Sequence, residues 1–241
     1  MDALIYTAMS GANRALHAQQ VHANNIANVE TRGFRADIEM ADSQAVKGYG
    51  YDSRHMPSLQ ANAVDGRAGT LTATGRELDV AIKGDGYFAV EIAGKEAYTR
   101  AGSLVVDRDG ALLLNGHPVL GAGGAITLPP FAKVEISANG TIAILPAGET
   151  ELQDVDRLKT VTLPAGEATK NEAGLLVRRD GRNADAGDDL EVASGHLEAS
   201  NVSAVEEMVA TMSLNRSFEM QMKLLRSADD LADAGNRLMR A

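Results

Sequence analysis

The chain contains no cysteine. That excludes disulfides, thiolate metal sites and thiol catalysis, and it leaves the redox compartment open. Aromatic residues make up only 4% of the 241 residues, while glycine occurs 24 times, so a thin core and many turns are expected. No cluster of Lys and Arg relieves the formal charge of −10. Nucleic acid and anionic membrane would repel such a chain and are excluded as main partners. No apolar run approaches the length of a membrane span, so no membrane insertion is expected. The opening stretch MDALIYTAMSGANRALHAQQ has no basic start before its apolar residues, which Thr7 and Ser10 interrupt. It does not read as a cleavable secretory signal.

What is present divides into helical ends and a strand-rich middle. From Asp2 to about Asn28, small or apolar residues recur at Leu4, Ala8, Ala12, Ala15 or Leu16, and Ile26, the spacing of an amphipathic helix. The stripe is narrow and alanine-rich, suited to close approach. Its end carries Asn24, Asn25 and Asn28, which together cost a helix about 2 kcal/mol against alanine. Hydrogen bonds by the amides are the expected offset. At the other end, Ser203 to Glu206 spell a capping box, and Glu207 adds negative charge at the helix start. Met208, Met212, Asn215, Phe218, Met222, Leu225, Ala228 and Ala232 then follow at spacings of three and four. This reads as one seam in a helix of nearly forty residues, longer than a globular core of this size needs, so partner helices are expected.

Between the ends, alternating apolar runs meet tight-turn dipeptides: Asp109-Gly110, Asn115-Gly116 and Asn139-Gly140. Such pairs supply the positive φ angles that hairpins demand. The expected fold class is α+β: long N- and C-terminal helices forming a coiled-coil-like assembly domain, with an inserted antiparallel β domain. The division is residues 1–35 for the N-terminal helix and turn, 36–75 as an extended connector, 76–181 as the β-rich domain, 182–200 as a second connector and 201–241 as the C-terminal helix.

Chemistry is hard to find. His17, His22, His55, His117 and His196 are scattered, and the spacing of the first two does not put them on one helix face. The stretches GAGGAI and GDGYF do not complete a phosphate loop, and no nucleophile elbow or paired-histidine zinc motif occurs. No catalytic, cofactor-binding or metal residue is assigned.

Three ordered stretches resemble the bacterial flagellar axial proteins, specifically the basal-body rod proteins. SGANRALHAQQVHANNIANVETRGFRAD is similar to the N-terminal signature of that family. ELDVAIKGDGYFAV with YTRAGSLVVDRDGALLLNGHPVLG resembles its central signature, and GHLEASNVSAVEEMVATMSLNRSFEMQMKLL its C-terminal one. MDALIYTAMSGA and SFEMQMK are nearer to proximal-rod than to distal-rod or hook members. RGFR stands where many relatives carry Thr-Gly-Phe-Lys, and Arg35 keeps the charge.

The resemblance implies a non-enzymatic building block, exported by the flagellar type III apparatus and polymerising helically into the axle that carries motor torque across the periplasm. Its implied partners are copies of itself, proximal-rod and distal-rod neighbours, the export apparatus and bushing-ring proteins. Phe34 and Ile38 are similar to the Phe-x-x-x-apolar element proposed for export-gate recognition. The subunit interface is expected at Asn24, Asn25, Asn28, Gly33, Phe34, Met208, Met212, Asn215, Phe218, Met222 and Leu225. The asparagines would bond between helices of neighbouring subunits and fix their register. In the free monomer the terminal helices would lack a partner and stay largely disordered. A distal-rod subunit, or an exported binding or adhesive protein with a ligand site on residues 76–181, are the alternatives.

Overall fold

A computed structural model describes residues 2–45, 55–164, 166–187 and 190–240. It is α+β, with antiparallel strand pairing in its sheets among the described residues. The chain divides into two compact units, one of Met1–Ala27, Asp37–Ala63 and Ser203–Ala241, the other of Asn28–Ala36 and Val64–Val202.

The first, the helix unit, holds α1 (Asp2–Ala27), α2 (Ala204–Arg240) and a two-stranded sheet of β1 (Asp37–Ala45) and β2 (His55–Val64), of which the last residue, Val64, already belongs to the second unit. At 1.5 Å per residue α2 is roughly 55 Å long. It starts where the Ser203 hydroxyl accepts the Glu206 N–H at 3.4 Å, with Glu206 and Glu207 in its first turn, as the capping box predicts. The two helices pack on each other. His22 and Asn25 meet Glu207, and a Cβ at Gly11 would lie 2.7 Å from Nε2 of Gln221. Moving from residue 25 to 11 on α1 thus moves from 207 to 221 on α2, so the pair is antiparallel. Ala8, Ala12, Ala15 and Ala18 are the buried face of α1, small enough to let backbones approach closely.

Each terminal helix therefore has a partner inside its own chain, contrary to the expectation of unpartnered helices in the monomer. The seam of α2 also differs from the one expected. Its shielded face runs through Glu207, Thr211, Leu214, Phe218, Gln221, Leu225, Ala228 and Ala232, again at three and four, so Phe218, Leu225, Ala228 and Ala232 of the expected seam lie on it and Met208, Met212, Asn215 and Met222 do not. An alanine surface accepts Thr, Gln and Glu opposite it, so hydrophobicity alone did not locate this face.

The second, the β unit, is built of short strands. Its largest sheet has the order Thr160–Val161, Tyr87–Ile92, Lys95–Thr99, Leu176–Arg178, Ala168–Lys170. The run Tyr87-Phe88-Ala89-Val90 is apolar throughout because both its faces are covered. Phe88 and Val90 enter a large cluster with Ile82, Leu104, Leu112 and Ile142. Tyr87 and Ala89, pointing the other way as strand alternation requires, join Tyr98, Val161 and Leu176. Hairpins at Asn115-Gly116 and Asn139-Gly140 link strands as expected.

The stretches 36–75 and 182–200, expected as extended connectors, contribute strands. Besides β1 and β2 there is Leu71–Ala73, paired with His196–Glu198, and Glu191–Ser194, paired with Val80–Lys83. These pairings join residues more than a hundred positions apart. Glu191–Ser194 also has only one fully buried apolar side chain, Val192, so its period is weak.

Candidate assembly interface

The asparagine-rich end of α1 is where three elements of the helix unit converge. Asn25 is 1% exposed. Its Nδ2 donates to the Asp37 carbonyl at 3.0 Å and to Oε1 of Glu207 at 3.1 Å, and its Oδ1 accepts the Asp37 N–H at 2.9 Å. One amide thus fixes the first residue of β1 and the first turn of α2. Both halves of its donor and acceptor capacity are needed for this, which explains an amide at this point of a helix. The Nδ1 of His22 pairs with the other oxygen of Glu207. Exposed Asn24 donates to the Asp37 carboxylate at 3.0 Å. Asp37 and Glu39 of β1 both reach α1, Glu39 through Arg14 at 3.3 Å, so the intervening Ile38 is exposed.

On α2 the expected interface residues separate into two faces. Phe218 and Leu225 are half-buried on the side shared with Leu214 and Ala228, whereas Met208, Met212, Asn215 and Met222 are exposed. Met208 and Met212, at 53% and 56% exposure, form a stripe with Val205 and Val209.

Asn28, Gly33 and Phe34 belong to the β unit. Asn28 turns the chain: its carbonyl accepts the Thr31 N–H and its Oδ1 the Thr31 hydroxyl, both at 3.1 Å. Gly33 has φ +70°, donates to the Glu198 carbonyl at 2.8 Å, and leaves no room for a Cβ, which would stand 2.1 Å from the Ala101 nitrogen. Only glycine fits there. The ring of Phe34 is covered by the Lys170 ammonium at 3.8 Å, a cation–π contact.

Sequence reasoning noted the positive charge of Arg35 but missed what it pairs with. Arg35, Arg100 and Glu198 are each 2% exposed. One oxygen of Glu198 lies 2.8 Å from Arg35 Nη2, the other 3.0 Å from Arg100 Nη1. Gly69 N–H also donates to Glu198, and Arg100 donates to the carbonyls of Ile82 and Gly84. Burial pulls the Arg100 guanidinium below its usual value, against the pull of Glu198. At the edge of this cluster, burial pushes the Asp65 carboxyl up. The hydrogen bonds and charge of Arg67, with Arg35 behind, outweigh that and hold it below the usual aspartate value. Asn201 completes the joint, accepting Ala36 N–H at 2.8 Å and donating to the Arg67 carbonyl at 2.9 Å. No local signal marked the three, because Arg35 stands among other charges, Arg32 and Asp37, and Arg100 and Glu198 are single charges beside alanine.

The β unit also has a cleft of about 530 Å³ lined by Glu96, Gly121, Arg157, Lys159 and Asp185 among others. Glu96 holds Lys159 at 2.6 Å and accepts the Tyr98 hydroxyl at 3.0 Å. Burial pushes the Tyr98 phenol up to about 12. Glu96 and Lys159 thus satisfy each other within the cleft wall. Among the described residues no group of three or more His, Asp or Glu is placed to hold a metal ion, and no helix is long and apolar enough to cross a membrane.

Three family models match the chain in order: "Flagella basal body rod protein" at 5–35, "Flagellar hook protein FlgE/F/G D1 domain" at 81–144, and "Flagellar basal body rod FlgEFG protein C-terminal" at 193–238. The chain belongs to the flagellar basal-body rod protein family, and within it to the FlgF type. The flagellar basal-body rod protein FlgF of Escherichia coli is 39% identical over 99% of both chains, and that of Salmonella typhimurium 38% over the same share. The FlgG rod protein of Bacillus subtilis is 29% identical over 94% of this chain and 95% of its own. The three matched segments each supply one member of the buried cluster, Arg35, Arg100 and Glu198.

Proposed function

We propose that the chain is a structural, non-enzymatic subunit of the flagellar basal-body rod, in its proximal part, joining copies of itself and related rod proteins through the outer faces of α1 and α2. The observation that carries this is the distribution of exposed apolar side chains. Of eighteen large ones among the described residues, fifteen lie in the helix unit, on α1, β1 and α2. Isolated exposed apolar residues are ordinary, but such a concentration along one pair of helices marks a surface meant to be covered. Met208, Met212 and Met222 would pack against neighbouring helices, with Asn215 and Asn24 adding polar registration. Asn25 acts one step back, by holding the helix pair in shape. Close packing of long helices around an axis gives the stiffness a torque-bearing axle requires. The β unit would supply the contacts to bushing-ring proteins. Phe34 and Ile38 would serve the export apparatus while the chain is unfolded, since Phe34 is covered once folded.

The test is the double substitution Met208→Glu and Met212→Glu. Both side chains are more than half exposed, so monomer stability should change by no more than about 0.5 kcal/mol. Incorporation into isolated basal bodies and motility should be lost. Normal swimming by that variant would remove the proposal.

A further inference from the structure

The chain carries two Asn-Gly dipeptides, and the fold places them in different turns. Asn115-Gly116 joins Leu112–Leu114 to His117–Pro118, with Leu114 paired to His117. Both turn residues have positive φ, 51° and 83°, the mark of a two-residue type I′ turn. In that turn the closing bonds run between the flanking residues, so the glycine N–H is left to solvent. Both residues are exposed, and among the described residues nothing hydrogen-bonds the Gly116 N–H or the Asn115 amide.

Asn139-Gly140 is held differently. Only its glycine has positive φ, 82°. The Gly140 N–H donates to the Ser137 carbonyl at 2.9 Å. The Asn139 Oδ1 accepts the Ser137 hydroxyl at 2.5 Å and the Thr141 N–H at 3.0 Å. Nucleophile and electrophile are each tied to a third group.

We propose that Asn115-Gly116 is a site of spontaneous conversion to aspartate and isoaspartate in the folded protein, and that the turn at Asn139-Gly140 protects the second pair. The Gly116 nitrogen, on losing its proton, attacks Cγ of Asn115. The N–Cγ bond forms, the Cγ–Nδ2 bond breaks, and ammonia leaves with the proton. Water then opens the resulting succinimide at either carbonyl. One water enters and one ammonia departs, with no change of oxidation state. Opening toward isoaspartate inserts an extra main-chain carbon between Leu114 and His117, so their pairing loosens beside the buried Leu114 side chain.

The experiment ages the folded full-length chain at mildly alkaline pH, digests it, and measures isoaspartate in the two peptides by mass and by methyltransferase labelling. Conversion at Asn115 should run about five-fold faster than at Asn139, the factor for one hydrogen bond of about 1 kcal/mol that must break first. In strong denaturant the two rates should converge. Equal rates in the folded chain, no conversion at Asn115, or a difference that survives denaturation would each overturn the proposal.

Discussion

The helix unit and the β unit solve the problem of burial in opposite ways. In the β unit, Phe88, Ile82, Leu104, Leu112, Leu114 and Ile142 are almost wholly inside, and a buried ion cluster pins chain segments from three parts of the sequence. In the helix unit, every buried apolar residue among those described is an alanine: Ala8, Ala12, Ala15, Ala18 and Ala228. A methyl group removes little surface from water, about 0.8 kcal/mol for each carbon buried. The larger side chains of the same helices stay outside. The lesson is that one unit is complete as a single chain, while the other holds its shape through polar contacts and a narrow seam and keeps its apolar surface unspent.

Three measurements press on that contrast. The largest effect is expected in the β unit, from Glu198→Gln. It leaves two buried guanidiniums without their counter-charge, and removing one partner of a buried pair costs about 3–5 kcal/mol. Denaturant unfolding should show this loss. If Glu198→Gln unfolds at the same denaturant concentration as the parent, the cluster is not what holds that unit together.

Asn25→Ala is the matching change in the helix unit. It strips the Asp37 N–H and carbonyl of their partner, and a buried unsatisfied group costs about 1–3 kcal/mol. Because the helix unit rests on so little apolar burial, amide exchange in α1 and the start of α2 should accelerate while the β core keeps its protection. Uniform acceleration in both units would erase the contrast.

The smallest effect concerns acid. The Asp65 carboxyl titrates below its ordinary value in the folded chain. Its contribution is complete above the usual aspartate value of about 4 and disappears as pH falls through the lowered folded value. Asp65→Asn should flatten the stability profile of the β unit there, a difference visible in unfolding midpoints. Profiles of parent and variant that stay parallel down to low pH would disprove it.

Much of the fold was legible in the chain. The caps, turn dipeptides and periodicities located both helices and most hairpins, because these depend on residues within a few positions of one another. Ser203 and Glu206 marked the start of α2, and Asn115-Gly116 and Asn139-Gly140 marked their turns. The candidate interface was legible only in part. Met208 and Met212, expected at an interface, are exposed, but the face of α2 that meets α1 could not be found from hydrophobicity. The alanines opposite it accept Glu207, Thr211 and Gln221 as readily as Leu214.

What the sequence determined alone is local: where helices begin, which residues can take a positive φ, and which family signatures the chain carries. Tertiary structure decided the rest. It brought Arg35, Arg100 and Glu198 to one buried point, turned Asn25 inward to hold Asp37 and Glu207, and paired Glu191–Ser194 with Val80–Lys83. The physical reason is distance along the chain. A buried charge or amide is tolerable only beside its partner, and these partners come together only once the chain has folded.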